Sequence, residues 1–297
     1  MWWLNVTICV GRWIVISIFF FAIIACNGPH SDSVSKVNDD TADFRIVTLS
    51  PHLAELVFTV GAGDMLVGVS DYSDYPASVT KLPVIGDAFR IDQERLTLLQ
   101  PDLLLGWKTG TPVHISDNLR QLGFSVELIS TTSIDDIPVA LRRIGELTGR
   151  QVQAQRAASD FSAQLAILAT KYAAEAPVRV FYQLDARPLY TINGDHFVSD
   201  LINICGGTNI FADLRGLAPA VSVEAVLERD PEVLMASADL GWSVFNGWGR
   251  WKELAANRYG NLFLLPADEI SRPTPRLLMA AQNLCDALEV GRQNRRM

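Results

Sequence analysis

The stretch RIVTLSPHLAELVFTVGAG, residues 45–63, decides how the chain is read. Its first five residues form a largely apolar run of strand length, with Ile46, Val47 and Thr48 β-branched. Ser50 and Pro51 follow as an N-cap and a first helical position, and Gly61 ends the segment after about ten residues. A strand therefore feeds a helix. The alternation recurs downstream: MLVGVS (65–70) and LPVIG (82–86) read as strands, a helix starts near Gln93, and the strand DLLLGW (102–107) follows Gln100 and Pro101. A helix over 115–122 then leads to SVELIS (125–130). Strands alternating with helices predict a parallel sheet in an α/β fold.

The pattern changes between Thr148 and Pro177. No Gly or Pro interrupts residues 150–176, and Ala158, Phe161, Leu165, Leu168 and Tyr172 step by three and four. That spacing predicts one long amphipathic helix, long enough to hold two lobes apart. Beyond it the alternation resumes with VRVFYQL (178–184) and a helix from about Phe197 to Cys205, closed by Gly206 and Gly207. A helix from Val223 then leads to VLMAS (233–237), LFLLP (262–266) follows, and a last helix runs from Pro275 to about Leu288. The expected fold class is α/β, with two parallel-sheet lobes joined by a single long helix. The expected boundaries are a leader at 1–25, a tether at 26–43, an N-lobe at 44–148, a linker at 149–176, a C-lobe at 177–290 and a tail at 291–297.

The halves carry an internal echo. Asp92-Gln93-Glu94 precedes Pro101-Asp102-Leu103-Leu104 as Ser222-Val223-Glu224 precedes Pro231-Glu232-Val233-Leu234, position for position at one constant offset. Each copy has a capping residue, a glutamate in the first helical turn, and a proline that ends the helix before a buried strand. A first-turn glutamate is favoured by the helix dipole alone, by roughly 0.3 to 1 kcal/mol. Two equivalent acids on two lobes also suit one two-point docking surface.

With 49% hydrophobic and 20% charged residues, the 297-residue chain has a globular composition. Its net charge of −8 offers no footprint for nucleic acid. Residues 13–25, WIVISIFFFAIIA, follow Arg12 and precede polar CNGPHSDSVSKVNDDTAD (26–43), which is a signal-peptide pattern followed by a flexible tether. The run ends Ile23-Ile24-Ala25-Cys26, resembling the lipoprotein cleavage box in which the cysteine is lipidated; an uncleaved anchor over residues 2–25 is the alternative. Export makes Cys205 and Cys285 an even pair in an oxidising compartment, expected to be bridged, with two buried free thiols as the alternative.

No catalytic constellation holds. The chain lacks a G-x-S-x-G elbow, a phosphate-cradling glycine loop with lysine, and H-E-x-x-H. Ser50 beside His52 reads as a helix cap, and His52, His114 and His196 are isolated, short of the three or four convergent ligands a metal carrier needs. Aromatic side chains instead gather at loops after strands, where open α/β sheets bind ligands. SDYSDYP (70–76) carries Tyr72 and Tyr75, Trp107 ends DLLLGW, and Trp242, Phe245, Trp248 and Trp251 crowd a glycine-rich loop. Asp268 and Arg272 flank a turn after LFLLP. Aromatic walls with one acid and one base suit a large, flat, amide-rich or partly charged ligand.

From Arg45 to about Leu288 the chain resembles the periplasmic binding proteins of ATP-driven (ABC) importers for vitamin B12, iron siderophores and haem, in which two α/β lobes are joined by one long helix. The likeness is strongest to the vitamin B12 binders, through RIVTLSP, VGVSDYSDYP, the segment ending at Trp107, ICGGTNIF (204–211) and PRLLMAAQNLCDAL (275–288). The resemblance implies a non-enzymatic, exported and monomeric chain with no resident cofactor. It would take cobalamin or a related corrinoid as cargo and dock on a permease dimer, with haem or a ferric siderophore as the alternative cargo. It implies a disulfide between Cys205 and Cys285, permease-docking acids at Glu94 and Glu224, and ligand contacts at Tyr72, Trp107, Asp268 and Arg272. Where B12 binders place cleft tryptophans this chain has Ala88 and Ala218, and Phe89 and Trp242 are the expected replacement surface. The long linker predicts a closure of only a few ångströms on ligand.

Overall fold

The computed structural model describes residues 44–296. The expected leader, Cys26 and the tether lie outside the described residues. The N-lobe contains β1 (Ile46–Thr48), α1 (Pro51–Thr59), β2 (Leu66–Gly68), α2 (Gln93–Leu99), β3 (Leu103–Trp107), α3 (Val113–Gln121) and β4 (Val126–Ile129), with α4 (Asp136–Thr148) packed on α1. Its strands are all parallel, in the order β2-β1-β3-β4.

After Gly149, left-handed at φ 71°, comes α5 (Gln151–Tyr172). The C-lobe follows with β5 (Val178–Gln183), a two-stranded ribbon of β6 (Asp185–Ala186) and β7 (Leu189–Tyr190), α6 (Phe197–Ile204), β8 (Gly207–Asn209), α7 (Val223–Arg229) and β9 (Val233–Ser237). It ends with α8 (Ala255–Tyr259), β10 (Leu262–Leu265), α9 (Ala267–Ser271) and α10 (Leu277–Arg296). Its main sheet, β8-β5-β9-β10, is parallel and repeats the N-lobe order strand for strand.

The duplication reaches side-chain detail. α2 and α7 start at 93 and 223, and β3 and β9 at 103 and 233, both at the expected offset. Asp92 Oδ1 accepts from the Arg95 N–H at 2.9 Å, and Ser222 Oγ from the Ala225 N–H at 3.2 Å, so each helix has a working N-cap. Each helix then ends on a left-handed non-glycine residue, Gln100 (φ 43°) or Asp230 (φ 40°). An arginine braces each end: Arg45 Nε donates to Leu99 O at 2.8 Å, and Arg179 Nε to Asp230 O at 2.9 Å.

The linker is shorter than the uninterrupted run suggests. Its 22 residues span about 33 Å and bury Ala154 together with Ala158, Phe161 and Tyr172 of the predicted stripe. It packs on α4 of the N-lobe and on α6 and α10 of the C-lobe. A β-carbon on Gly145 of α4 would overlap the Ala154 side chain, so this close crossing requires glycine. One apolar core runs from Leu56 and Ile144 through Phe161 to Leu201 and Leu284, which stiffens the join between lobes. Cys205 and Cys285 are disulfide-bonded as expected, tying the end of α6 to α10.

Two expectations are corrected. LPVIG makes only isolated bridges, Val84 to Val69 and Gly86 to Ile91, because Pro83 has no N–H to extend a ladder. Residues 291–296 are not a tail but the last turns of α10. Arg292 is fully buried there, donating to Ala176 O, Cys205 O and Gly206 O, and Arg295 pairs with Glu232. Those carbonyl and carboxylate partners hold polar residues that sequence alone placed in solvent. Among the described residues, no helix is long and apolar enough to cross a membrane.

Candidate functional site

A cavity of about 850 Å³ opens at the C-terminal ends of β1, β2 and β3, lined among others by Ser50, Tyr72, Ala88, Phe89, Trp107 and Val113. Trp107 is the last residue of a buried strand, and the next turn wraps its indole. The Trp107 backbone N–H donates to Thr111 Oγ1 at 3.0 Å, the Thr111 backbone N–H returns to Trp107 O at 2.8 Å, and a β-carbon on Gly110 would overlap the ring. His52 meets the indole edge-on at 5.1 Å. Ser50 Oγ lies 2.7 Å from its Nδ1 and Thr131 Oγ1 3.3 Å from its Nε2. Burial, helped by the charge of Arg272, pulls the His52 pKa down to about 3, so a neutral imidazole supports the cavity wall.

Tyr72 and Phe89 stand out from the wall, 84% and 71% exposed, an apolar pair on one rim. Tyr72 is left-handed at φ 65°, a conformation costing a bulky residue roughly 1 to 2 kcal/mol. Its carbonyl is held from the other lobe by Arg272 Nη2 at 3.1 Å. Phe89 is presented by Asp87, whose Oδ1 accepts from the Phe89 and Arg90 N–H groups, both at 2.8 Å. Those two bonds hold the Asp87 carboxyl below the usual range.

The equivalent strand ends of the C-lobe form a second cavity of about 710 Å³, lined by Gln183, Asp185, Arg187, Leu240, Trp248 and Arg250 among others. Here the tryptophan is structural: Trp248 is buried and donates from Nε1 to Gln183 Oε1 at 2.8 Å. Trp242 is 64% exposed on the turn that supplies Ser243 and Val244 to the lining, its ring 6.1 Å from Phe245.

Asp268 and Arg272 line neither cavity. Asp268 lies in α9 rather than beside a loop, 3.2 Å from Arg272, and Arg272 is engaged across the lobes. Its Nη1 lies 2.9 Å from Glu55 Oε1 and 2.5 Å from Asp74 Oδ1. Glu55, 2% exposed on α1, also accepts from Arg276 at 3.1 Å and from Thr274 Oγ1 at 3.0 Å. The C-lobe returns one contact, Asp200 on α6 accepting from the Ile134 N–H at 2.9 Å. Glu55, Asp74 and Arg276 escaped the sequence reading. The available signal was a lone carboxylate within the apolar helix segment LAELVF, where an ionised group needs a partner.

Glu94 and Glu224 are exposed in the first turns of α2 and α7, at matching places in the duplication. Ala88 lines the N-lobe cavity, whereas Ala218 is exposed and lines neither. Among the described residues, no three His, Cys, Asp or Glu side chains converge as metal ligands.

Comparison with known proteins places this arrangement. A vitamin B12-binding protein of Vibrio cholerae is 37% identical over 252 residues, covering 84% of this chain and 90% of the relative. One from Yersinia pestis is 37% identical over 245 residues, covering 82% and 86%. The crystal structure of the periplasmic vitamin B12 binding protein BtuF of Vibrio cholerae superposes with a TM-score of 0.77 at 36% identity, over 84% of this chain and 98% of that one. The periplasmic haem binding protein HutB of Vibrio cholerae shares the fold, at TM-score 0.72 and 24% identity, over 82% and 98%. The family model for periplasmic binding proteins matches residues 46–269, and the chain belongs to that family of substrate-binding proteins.

Proposed function

We propose that this chain captures cobalamin or a related corrinoid between its lobes and delivers it to an ABC importer, without making or breaking a bond. One observation carries the reading. Exposed aromatic side chains rim an apolar cavity at the strand ends of one lobe, a second cavity occupies the same ends of the other, and Arg272 of the C-lobe holds the carbonyl of Tyr72 on the N-lobe rim. A corrin is a broad, partly apolar ring edged with amides, which suits stacking by Tyr72, Phe89 and Trp107, with Trp242 on the C-lobe and with Arg272, paired with Asp268, behind Tyr72. The vitamin B12 binders at 37% identity support the choice of cargo over haem or a ferric siderophore. Ala88 widens the wall and keeps the rival cargo in the test.

Glu94 and Glu224 are the docking acids of this reading, meeting basic residues of a permease dimer. The leader pattern supports export to the periplasm, with Cys26 as the lipidated tether, and the chain acts there as a monomer in this reading. Calorimetry of residues 44–297 against cyanocobalamin and haemin tests the cargo. One corrinoid per chain with no haemin heat is expected, and haemin binding without corrinoid binding overturns the reading. For docking, Glu94→Lys with Glu224→Lys is expected to abolish transport while ligand affinity holds. Intact transport removes that role.

A further inference from the structure

The two cavities differ in charge, and the difference assigns them different parts of one cargo. The N-lobe lining holds Asp71, Asp87 and Lys108, two acids against one base. The C-lobe lining holds Asp185, Arg187 and Arg250, one acid against two bases, in a chain whose net charge is −8. The C-lobe acid is already engaged. Asp185 Oδ1 accepts from the N–H groups of Ala186 at 2.6 Å and Arg187 at 3.3 Å, so it faces its own backbone turn. Among the described residues, neither Arg187 nor Arg250 is paired with a carboxylate. Both are exposed, and Arg250 lies over the Trp251 ring at 5.0 Å, an apolar footing that leaves the edges of its guanidinium available.

The floor beneath them does not compete for an anion. Gln183 is buried, its Oε1 taken by Trp248 and its Nε2 donating to Val244 O and Asp185 O, both at 3.3 Å. An anionic group entering this cavity therefore finds two guanidinium forks and no competing acid that is not already hydrogen-bonded. Such forks match the tetrahedral edge of a phosphodiester, to which they donate paired hydrogen bonds.

Resting on the corrinoid reading above, we infer that the C-lobe cavity is a phosphodiester subsite. Arg187 and Arg250 receive the nucleotide arm of a complete cobalamin, and the aromatic N-lobe cavity takes the ring. The cleft is thereby selective for corrinoids that carry the arm and fixes their orientation.

The test compares cyanocobalamin with dicyanocobinamide, which has the ring but no phosphodiester, by calorimetry on residues 44–297 at low and high salt. Wild-type protein is expected to bind cyanocobalamin about 10-fold to 100-fold more tightly, the range two charge-assisted contacts supply, with the advantage shrinking as salt rises. In the Arg187→Gln, Arg250→Gln double variant the ratio between the two ligands is expected to collapse toward one. Both residues are exposed, and an unchanged melting temperature confirms folding. A ratio that survives the double substitution, or equal wild-type affinities for the two corrinoids, overturns the subsite while leaving the corrinoid reading intact. Failure of wild type to bind either corrinoid defeats that reading and the subsite with it.

Discussion

The two lobes share one scaffold and put it to different uses. Strand order, capped helix, left-handed helix end and bracing arginine recur at equivalent places in both, yet the cavity walls diverge. In the N-lobe the aromatic side chains face solvent around the cavity. In the C-lobe the central tryptophan is folded into the core by Gln183, and arginines take the rim. Duplication therefore preserved the backbone geometry that places loops at the strand ends and left those loops free to specialise. The first helix of each lobe also reaches across the join by one acid, but unequally: Glu55 of α1 meets two arginines, whereas Asp200 of α6 meets a single backbone N–H.

That inequality is the sharpest place to break the comparison. Glu55→Ala leaves Arg272 and Arg276 without their shared buried carboxylate, and stability measured by urea unfolding is expected to fall by about 3 to 5 kcal/mol. Asp200→Ala is expected to cost about 1 kcal/mol, the worth of an ordinary hydrogen bond. Equal losses would mean that the two cross-lobe contacts are equivalent. The disulfide, present only in the C-lobe, comes next. It closes a loop of 80 residues, so Cys205→Ala with Cys285→Ala is expected to lower stability by roughly 2 to 4 kcal/mol. Hydrogen exchange should then show α6 and α10 loosening before α1, and uniform loosening would contradict a staple confined to one lobe.

Each lobe also carries one histidine at its first helix, His52 buried and His196 half-buried. His52 is lowered to about 3, by burial and then by Arg272, and His196 to about 4 by burial. Both are held neutral when folded, and His196 Nδ1 accepts the Val198 N–H at 3.2 Å. Because the unfolded chain protonates them near pH 6.5, their contribution is complete above that pH and declines as pH falls toward 4 and then 3. By pH 5.5 the loss is about 1.4 kcal/mol for each histidine. His196→Asn should remove about half of the slope in a stability titration between pH 7.5 and 5, and an unchanged slope would show that His196 is not charged on unfolding in this window.

Much of this architecture was legible because it rests on local rules. Pro51, Asp92, Ser222 and the stripe from Ala158 to Tyr172 each declare a helix through capping or periodicity, and the echo between the segments at Asp92 and Ser222 declares the repeat. The Ser50 hydroxyl, expected as a cap, makes no capping bond and meets His52 Nδ1 instead. The site was legible in part for the same reason: Tyr72, Phe89 and Trp107 are aromatics placed directly after strands. What escaped depends on contacts between distant segments. Glu55 and Arg272 are 217 residues apart, and nothing near either one specifies the other. Trp242 and Trp248 look alike in sequence, and only the Gln183 side chain, 65 residues before Trp248, makes one structural while the other stays exposed. The last turns of α10 look like a tail in sequence because the carbonyls that Arg292 reaches, those of Ala176 and Cys205, lie far back along the chain.

The most direct measurement is a crystal structure of the chain with cyanocobalamin beside one without it. One corrinoid is expected between the lobes, touching Tyr72, Phe89 and Trp107 on one side and the Arg187 and Arg250 cavity on the other, with the lobes displaced by only a few ångströms because α5 and the shared core resist a hinge. A corrinoid bound away from both cavities, or lobes that swing apart by tens of degrees, would contradict the picture of two specialised copies of one lobe closing on a single cargo.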